Sequence, residues 1–269
     1  MIAAATSTSL RAVLLALLAL ASLSAPGHAD ERITTRFEVV GFAGINILTL
    51  HSSTEENGGR YAITVDYATK GMANVFDSVS SHSEVHGRLV PGSALPDWFR
   101  NDTSRGGVDR HSRVDYHPNG TIDSGSTPPP APPIPLAAVA GTVDNLTAYL
   151  RLERQVARTG SCTLTVRVFD GRHAYDLVFT DAGQQALAPA GGQKFSGNTI
   201  ACRMRRQYWP GIVQPDKDEG ARAGTIWYAK LVPGDLMVPV RMQLETQFGT
   251  VDAYLAELHG GGVNLAFME

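Results

Sequence analysis

Apolar and polar residues alternate along most of the chain. In RYAITVDY, 60–67, Tyr61, Ile63, Val65 and Tyr67 fall on one face, while Arg60, Ala62, Thr64 and Asp66 fall on the other. That period of two marks a half-buried strand. The same pattern recurs at 35–40, 45–51, 78–89, 108–116, 162–168, 173–180, 200–207, 225–231, 238–246 and 251–258. Turn residues separate the runs: NGG at 57–59, PNG at 118–120, FDGR at 169–172, PGD at 233–235 and QFGT at 247–250. The fold predicted is mainly β, a single antiparallel, many-stranded curved sheet forming a barrel or half-barrel, with a sandwich as the other arrangement of such strands.

Two stretches leave the period of two. DSGSTPPPAPPIPLAAV, 123–139, is too rich in proline for a central strand and reads as an extended loop, with the Pro-rich part at 124–136. VDNLTAYLRLERQVAR, 143–158, follows helical spacing instead: Leu146, Tyr149, Leu150 and Val156 gather on one side. Thr142 or Asp144 can cap its start, and Gly160 follows its end. This one main amphipathic helix is expected to plug the open sheet or cover one face. A shorter helical turn is expected through GMANVF, 71–76.

The first 29 residues do not belong to the fold. Arg11 precedes the apolar run AVLLALLALASL, and Gly27 and Ala29 stand three and one residues before Asp30. The run is short of the roughly 20 residues a membrane span needs. A positive start, a short apolar run and small residues at the cut describe a secretory signal peptide, the alternative being an uncleaved anchor. The expected mature protein is one β-rich domain, 30–269, in the periplasm, with no transmembrane segment after cleavage. The whole chain has 269 residues and a formal charge of −3, so it presents no global basic surface to nucleic acid.

Export gives the two cysteines a meaning. Cys162 and Cys202 are the only pair, and outside the cytoplasm a pair is most simply a disulfide rather than two buried thiols. Closing a loop of 40 residues is worth about 4 kcal/mol in chain entropy. A two-residue Asp170-Gly171 turn would set Phe169 against Arg172, Val166 against Tyr175, Leu164 against Leu177 and Cys162 against Phe179. Cys162 then faces the core. Cys202 shares its strand face with Ile200 and Met204, so a buried bridge between neighbouring strands follows.

Reactive chemistry is harder to find. There is no G-x-S-x-G, HExxH, P-loop or dinucleotide fingerprint. His82, Glu84 and His86 lie at i, i+2 and i+4, so on a strand they share a face and form a weak candidate metal set; a solvated face is the simpler reading. His111 and His117 are read the same way. In CRMRRQYW, 202–209, Arg203 and Arg205 should face solvent and Arg206 the other side.

A wider likeness then emerges. The helix start TVDNL, Cys162, the FDGR turn with Tyr175, Asp176 and Leu177, Cys202, the Trp227-Tyr228 strand, MVPVR and the FGT turn together resemble a bacterial exported family catalogued as a domain of unknown function, DUF3108. The likeness is specific over 142–256 and looser over GRYAITVDYATKGMANVFD. It implies a Gram-negative envelope protein and carries no known activity, catalytic residues or cofactor. At fold level it also implies kinship with lipoprotein-carrier half-barrels.

The functional expectation is a non-catalytic envelope module without a cofactor that binds an apolar or amphiphilic ligand such as a lipid. Val75, Phe76, Trp98, Tyr149, Leu150, Trp227 and Tyr228 are the candidates to line its site, each otherwise ordinary core. The alternatives are a factor that docks an envelope protein and, less well supported, a metal-dependent enzyme. Cleavage after Ala29 is directly testable: the intact mass of exported protein should correspond to a chain beginning at Asp30.

Overall fold

A computed structural model describes residues 31–41, 44–71, 74, 78–209, 221–246 and 249–267. The expected signal segment and the 71–76 turn, apart from Gly71 and Asn74, lie outside them. Fourteen strands form one antiparallel sheet. The first meander contains β1 (Glu31–Val40), β2 (Asn46–Asn57), β3 (Arg60–Thr69), β4 (Val79–Val90), β5 (Ser93–Arg105), β6 (Val108–Tyr116) and β7 (Ile122–Thr127). The second contains β8 (Leu164–Phe169), β9 (Ala174–Leu187), β10 (Gly197–Tyr208), β11 (Ala223–Ala229), β12 (Val238–Thr246), β13 (Gly249–Gly260) and β14 (Val263–Ala266). β1 pairs with β13, so the order runs β7 to β1, then β13 back to β8, with β14 beside β13. The sheet is curved and does not close, which makes it a half-barrel.

The free edges, β7 and β8, are connected by a short 3-10 turn (Leu136–Val139) and by α1 (Asn145–Thr159). Asp144 caps the helix, accepting a hydrogen bond from the Thr147 amide at 2.8 Å, and Gly160 closes it in the left-handed conformation. The helix divides the interior. Leu146 and Leu150 join Tyr61, Ile63, Val85 and Phe99 in one apolar cluster. Ala148, Leu152 and Val156 join Tyr175, Phe179, Cys162, Cys202 and Tyr228 in another.

The edges approach without forming a ladder. The Val143 amide donates to Arg167 and its carbonyl accepts from Phe169, covering part of β8. Beyond it, the turn after β8 docks on the first meander. Ser126 donates to the Gly171 carbonyl at 2.7 Å and Arg172 to the Pro128 carbonyl at 2.6 Å. Gly171 has φ of 90°, and a Cβ there would lie 2.8 Å from the Ser112 Cβ, so the approach requires glycine twice over.

Three local expectations need correction. β5 was not among the strands read from the pattern. Pro96 interrupts its period, but sits where the register shifts opposite His86 and Gly87, and a bulge tolerates a missing donor. The presumed 124–136 loop begins inside edge strand β7, because its prolines start only at Pro128. The β8–β9 hairpin pairs Phe169 with Ala174, Val166 with Leu177 and Leu164 with Phe179, two residues from the expected register. The cause is Asp170, whose carboxylate accepts from the amides of Arg172 and His173 and so builds a four-residue loop. A shift of two leaves every side chain on its face.

The disulfide joins Cys162 and Cys202, with Cα atoms 5.5 Å apart. Both residues are fully buried. They do not lie on neighbouring strands as expected: Cys162 precedes β8, which is separated from β10 by β9. Cys202 pairs instead with Asp181 of β9, at a register shift, and the same Asp181 carboxylate accepts from the Cys162 amide at 2.6 Å. The bulge thus brings together chain segments on either side of one strand. Replacing Cys202 by Ser should lower unfolding free energy by about 2–5 kcal/mol in denaturant melts. Reduction of the wild type should reproduce the loss.

Candidate functional site

The strongest site candidate lies where α1 faces β9–β11. Tyr149 and Glu153, one helical turn apart, project to this side with Val156. The Tyr149 ring meets Phe179 edge-on, centroids 5.8 Å apart. Across from it, Tyr175 of β9 and Tyr208 of β10 are paired in register, with ring centroids 5.6 Å apart. Tyr228 of β11 belongs to the same cluster. Burial pushes the phenols of Tyr149, Tyr175 and Tyr228 up, so all three are neutral hydroxyls near neutral pH.

Two charged side chains enter this aromatic seam. Arg206 shares its strand face with buried Cys202 and Met204, while Arg203 and Arg205 are exposed on the other face, as the alternation predicts. Its guanidinium lies over the Tyr175 ring, 4.9 Å from the centroid, and interacts with Tyr149 and Tyr208. Among the described residues it makes no ion pair, and its Nε is buried without a hydrogen-bond partner. The Tyr175 hydroxyl is likewise buried and unpaired. Glu153 is half-buried, and burial, with Glu56 nearby, pushes its carboxyl up to about 8.

The helix is held at this position by polar contacts on its opposite flank. Thr147 donates to the Asp144 carboxylate at 2.6 Å and lies 2.7 Å from the Tyr61 hydroxyl of β3. The Tyr61 ring passes over Gly87, where a Cβ would come within 2.5 Å of it; no other residue leaves that space. Arg151 donates to the Ala94 carbonyl at 2.9 Å, and Arg154 binds both oxygens of Glu56, at 2.8 and 3.0 Å.

Of the residues expected to line a site, the structure brings Tyr149 and Tyr228 together in the seam. Leu150 sits in the other cluster, 1% exposed. Trp227 points away from Tyr228; it donates to Gln185 at 2.7 Å and lies under Arg241. Trp98 is on the outer face, stacked on His86 at 4.4 Å and close to Arg100. Val75 and Phe76 lie outside the described residues. Tyr175, Tyr208, Arg206 and Glu153 were not among the expected lining residues, although the strand parity of Arg206 already turned it inward.

His82, Glu84 and His86 do share the outer face of β4, but they turn to separate partners. His82 Nδ1 is 2.7 Å from Asp66, and His86 Nε2 is 2.8 Å from Glu84. No group of three such side chains among the described residues converges as a metal site. His82 belongs instead to a register row across five strands: His51, Asp66, His82, Asp102 and His111. The row lines an open outer groove of about 670 Å³ that also includes Lys70 and Asp109. His111 Nδ1 is 2.7 Å from Asp102, whereas His117 pairs separately with Asp123 at 2.9 Å. The Asp66 hydrogen bond favours protonated His82 and raises its pKa.

Comparison with known families matches residues 36–256 to the model described as "Protein of unknown function (DUF3108)". The chain belongs to this family. The match runs from the second half of β1 through most of β13, and so includes most of both meanders, the helix and the disulfide of this DUF3108 member. No curated protein sequence matches the chain.

Glu153 provides a test of the seam. Its folded pKa lies above the unfolded value, so its contribution to stability is full below about pH 4.5 and is lost as pH rises through about 8. Glu153→Gln should leave the melting temperature unchanged near pH 4.5. At pH 9 it should stabilise the protein by on the order of 2 kcal/mol relative to wild type, as read by melts across pH.

Proposed function

We propose that this chain is an exported, non-catalytic envelope module that binds an amphiphilic molecule in the seam between α1 and β9–β11. The observation that carries the reading is the composition of that seam. Aromatic and aliphatic walls surround a few inward polar groups, the usual make-up of a small-molecule site. Tyr149, Arg206 and Tyr208 are half-buried rather than sealed, which leaves the seam a route to the surface. The disulfide supports export, because such a bond suits an oxidising compartment like the periplasm.

Native mass spectrometry of protein isolated from the periplasm, without detergent, tests the proposal. A bound species of lipid-like mass, lost on organic extraction and regained on addition of the extract, is the expected result. Protein that is ligand-free and takes up nothing from an envelope lipid extract would overturn it.

A further inference from the structure

The seam holds hydrogen-bond donors without acceptors. Arg206 Nε and the Tyr175 hydroxyl are both buried and make no hydrogen bond among the described residues, and Tyr175 is 0% exposed. Both belong to the same side-chain pair, the Arg206 guanidinium lying over the Tyr175 ring, 4.9 Å from its centroid. A buried donor left unpaired costs about 1–3 kcal/mol, and a buried cation without a counter-charge costs more. Three other half-buried arginines have carboxylate partners, while Arg151 and Arg172 donate to backbone carbonyls. Arg154 binds Glu56, Arg36 binds Glu257 and Arg241 binds Asp252. The Arg206 guanidinium hydrogen-bonds Tyr208 and has tyrosines around it, but no carboxylate among the described residues; its Nε is the donor left over. The chemistry missing from this place is an anionic oxygen.

We infer that Arg206 and Tyr175 receive the anionic head group of the ligand, a carboxylate or phosphate, with its apolar part against the Tyr149, Phe179 and Tyr228 walls. A planar guanidinium and a phenol hydroxyl can each donate to such an oxygen, and a charge-assisted bond is roughly twice as strong as a neutral one. This rests on the amphiphile reading above and adds the sign of the head group.

The test is calorimetric titration of the purified mature protein with decanoate, decyl phosphate, decyl maltoside and decyltrimethylammonium, each below its micelle concentration. Decanoate or decyl phosphate should bind at least 10-fold tighter than the maltoside, and the cation weakest. Arg206→Gln should reduce the anionic preference to less than 3-fold while keeping maltoside affinity. Tyr175→Phe, which removes only a hydroxyl, should weaken the anions several-fold and covers the case in which the arginine variant fails to fold. Arg203→Gln, on the outer face, should change nothing. Equal affinity for anionic and neutral heads would overturn the head-group inference and leave the amphiphile reading standing. Failure of all four probes would sink both. A preference that survives Arg206→Gln would also overturn the assignment.

Discussion

Asp144 is a fully buried carboxylate at the start of α1, and through Thr147 it ties the helix to Tyr61 on the opposite meander. Burial pushes its pKa up to about 6, against the hydrogen bonds from Thr147 that favour the ionised form. Arg151 lies close enough to interact with the same charge. The helix therefore has one seat in the curve of the sheet, and much else follows from it. The two edge strands are connected through this helix. The turn after β8 reaches Ser112 and Ser126 of the first meander only if the intervening helix is in place.

That seat explains why the interior is two clusters rather than one. A half-barrel of this many strands encloses more volume than its own side chains fill, and packing density has to be restored from elsewhere. The helix supplies apolar groups to both sides, Leu146 and Leu150 to one and Ala148, Leu152 and Val156 to the other. Gly87 shows how closely the parts are fitted, since the Tyr61 ring occupies the space of a missing Cβ. The disulfide lies in the second cluster, at the end of the hairpin away from the docking turn, and restrains the β8–β10 corner.

Much of this was legible in the amino-acid pattern, and the exceptions have physical causes. Alternation in 60–67 reports β3 because each residue answers to its own face. The helix caps at Asp144 and Gly160, and the inward turn of Arg206, are equally local. β5 escaped because Pro96 falls at a bulge, where the partner strand tolerates what a regular ladder would not. The hairpin register escaped because the Asp170 side chain, rather than the backbone alone, sets the loop length. The seam was only half legible for a different reason. Tyr149, Tyr175, Tyr208 and Tyr228 converge through the rotation of one helix and the registers of three strands, which no single segment encodes. Trp98 illustrates the converse: a large aromatic residue is core-like by composition, yet here it covers the outer sheet face, whereas Trp227 is core, in the cluster on the other side of the helix.

The protein buries polar groups in two ways. Around Asp144 every donor has found an acceptor: Thr147 amide and hydroxyl on the carboxylate, Tyr61 on Thr147. Such a network fixes geometry and has little left to offer a ligand. In the seam the reverse holds, with the Tyr175 hydroxyl and Arg206 Nε unpaired among the described residues and the Glu153 carboxyl pushed up by burial and by Glu56 nearby. A fold needing only stability would be served better there by leucine and phenylalanine of similar volume, since replacing buried ionic groups by apolar ones is commonly neutral or stabilising. Retaining an arginine and unsatisfied donors among tyrosines makes energetic sense when something outside the chain completes their hydrogen bonds. In the proposed site, the helix that Asp144 seats so firmly is one rigid wall.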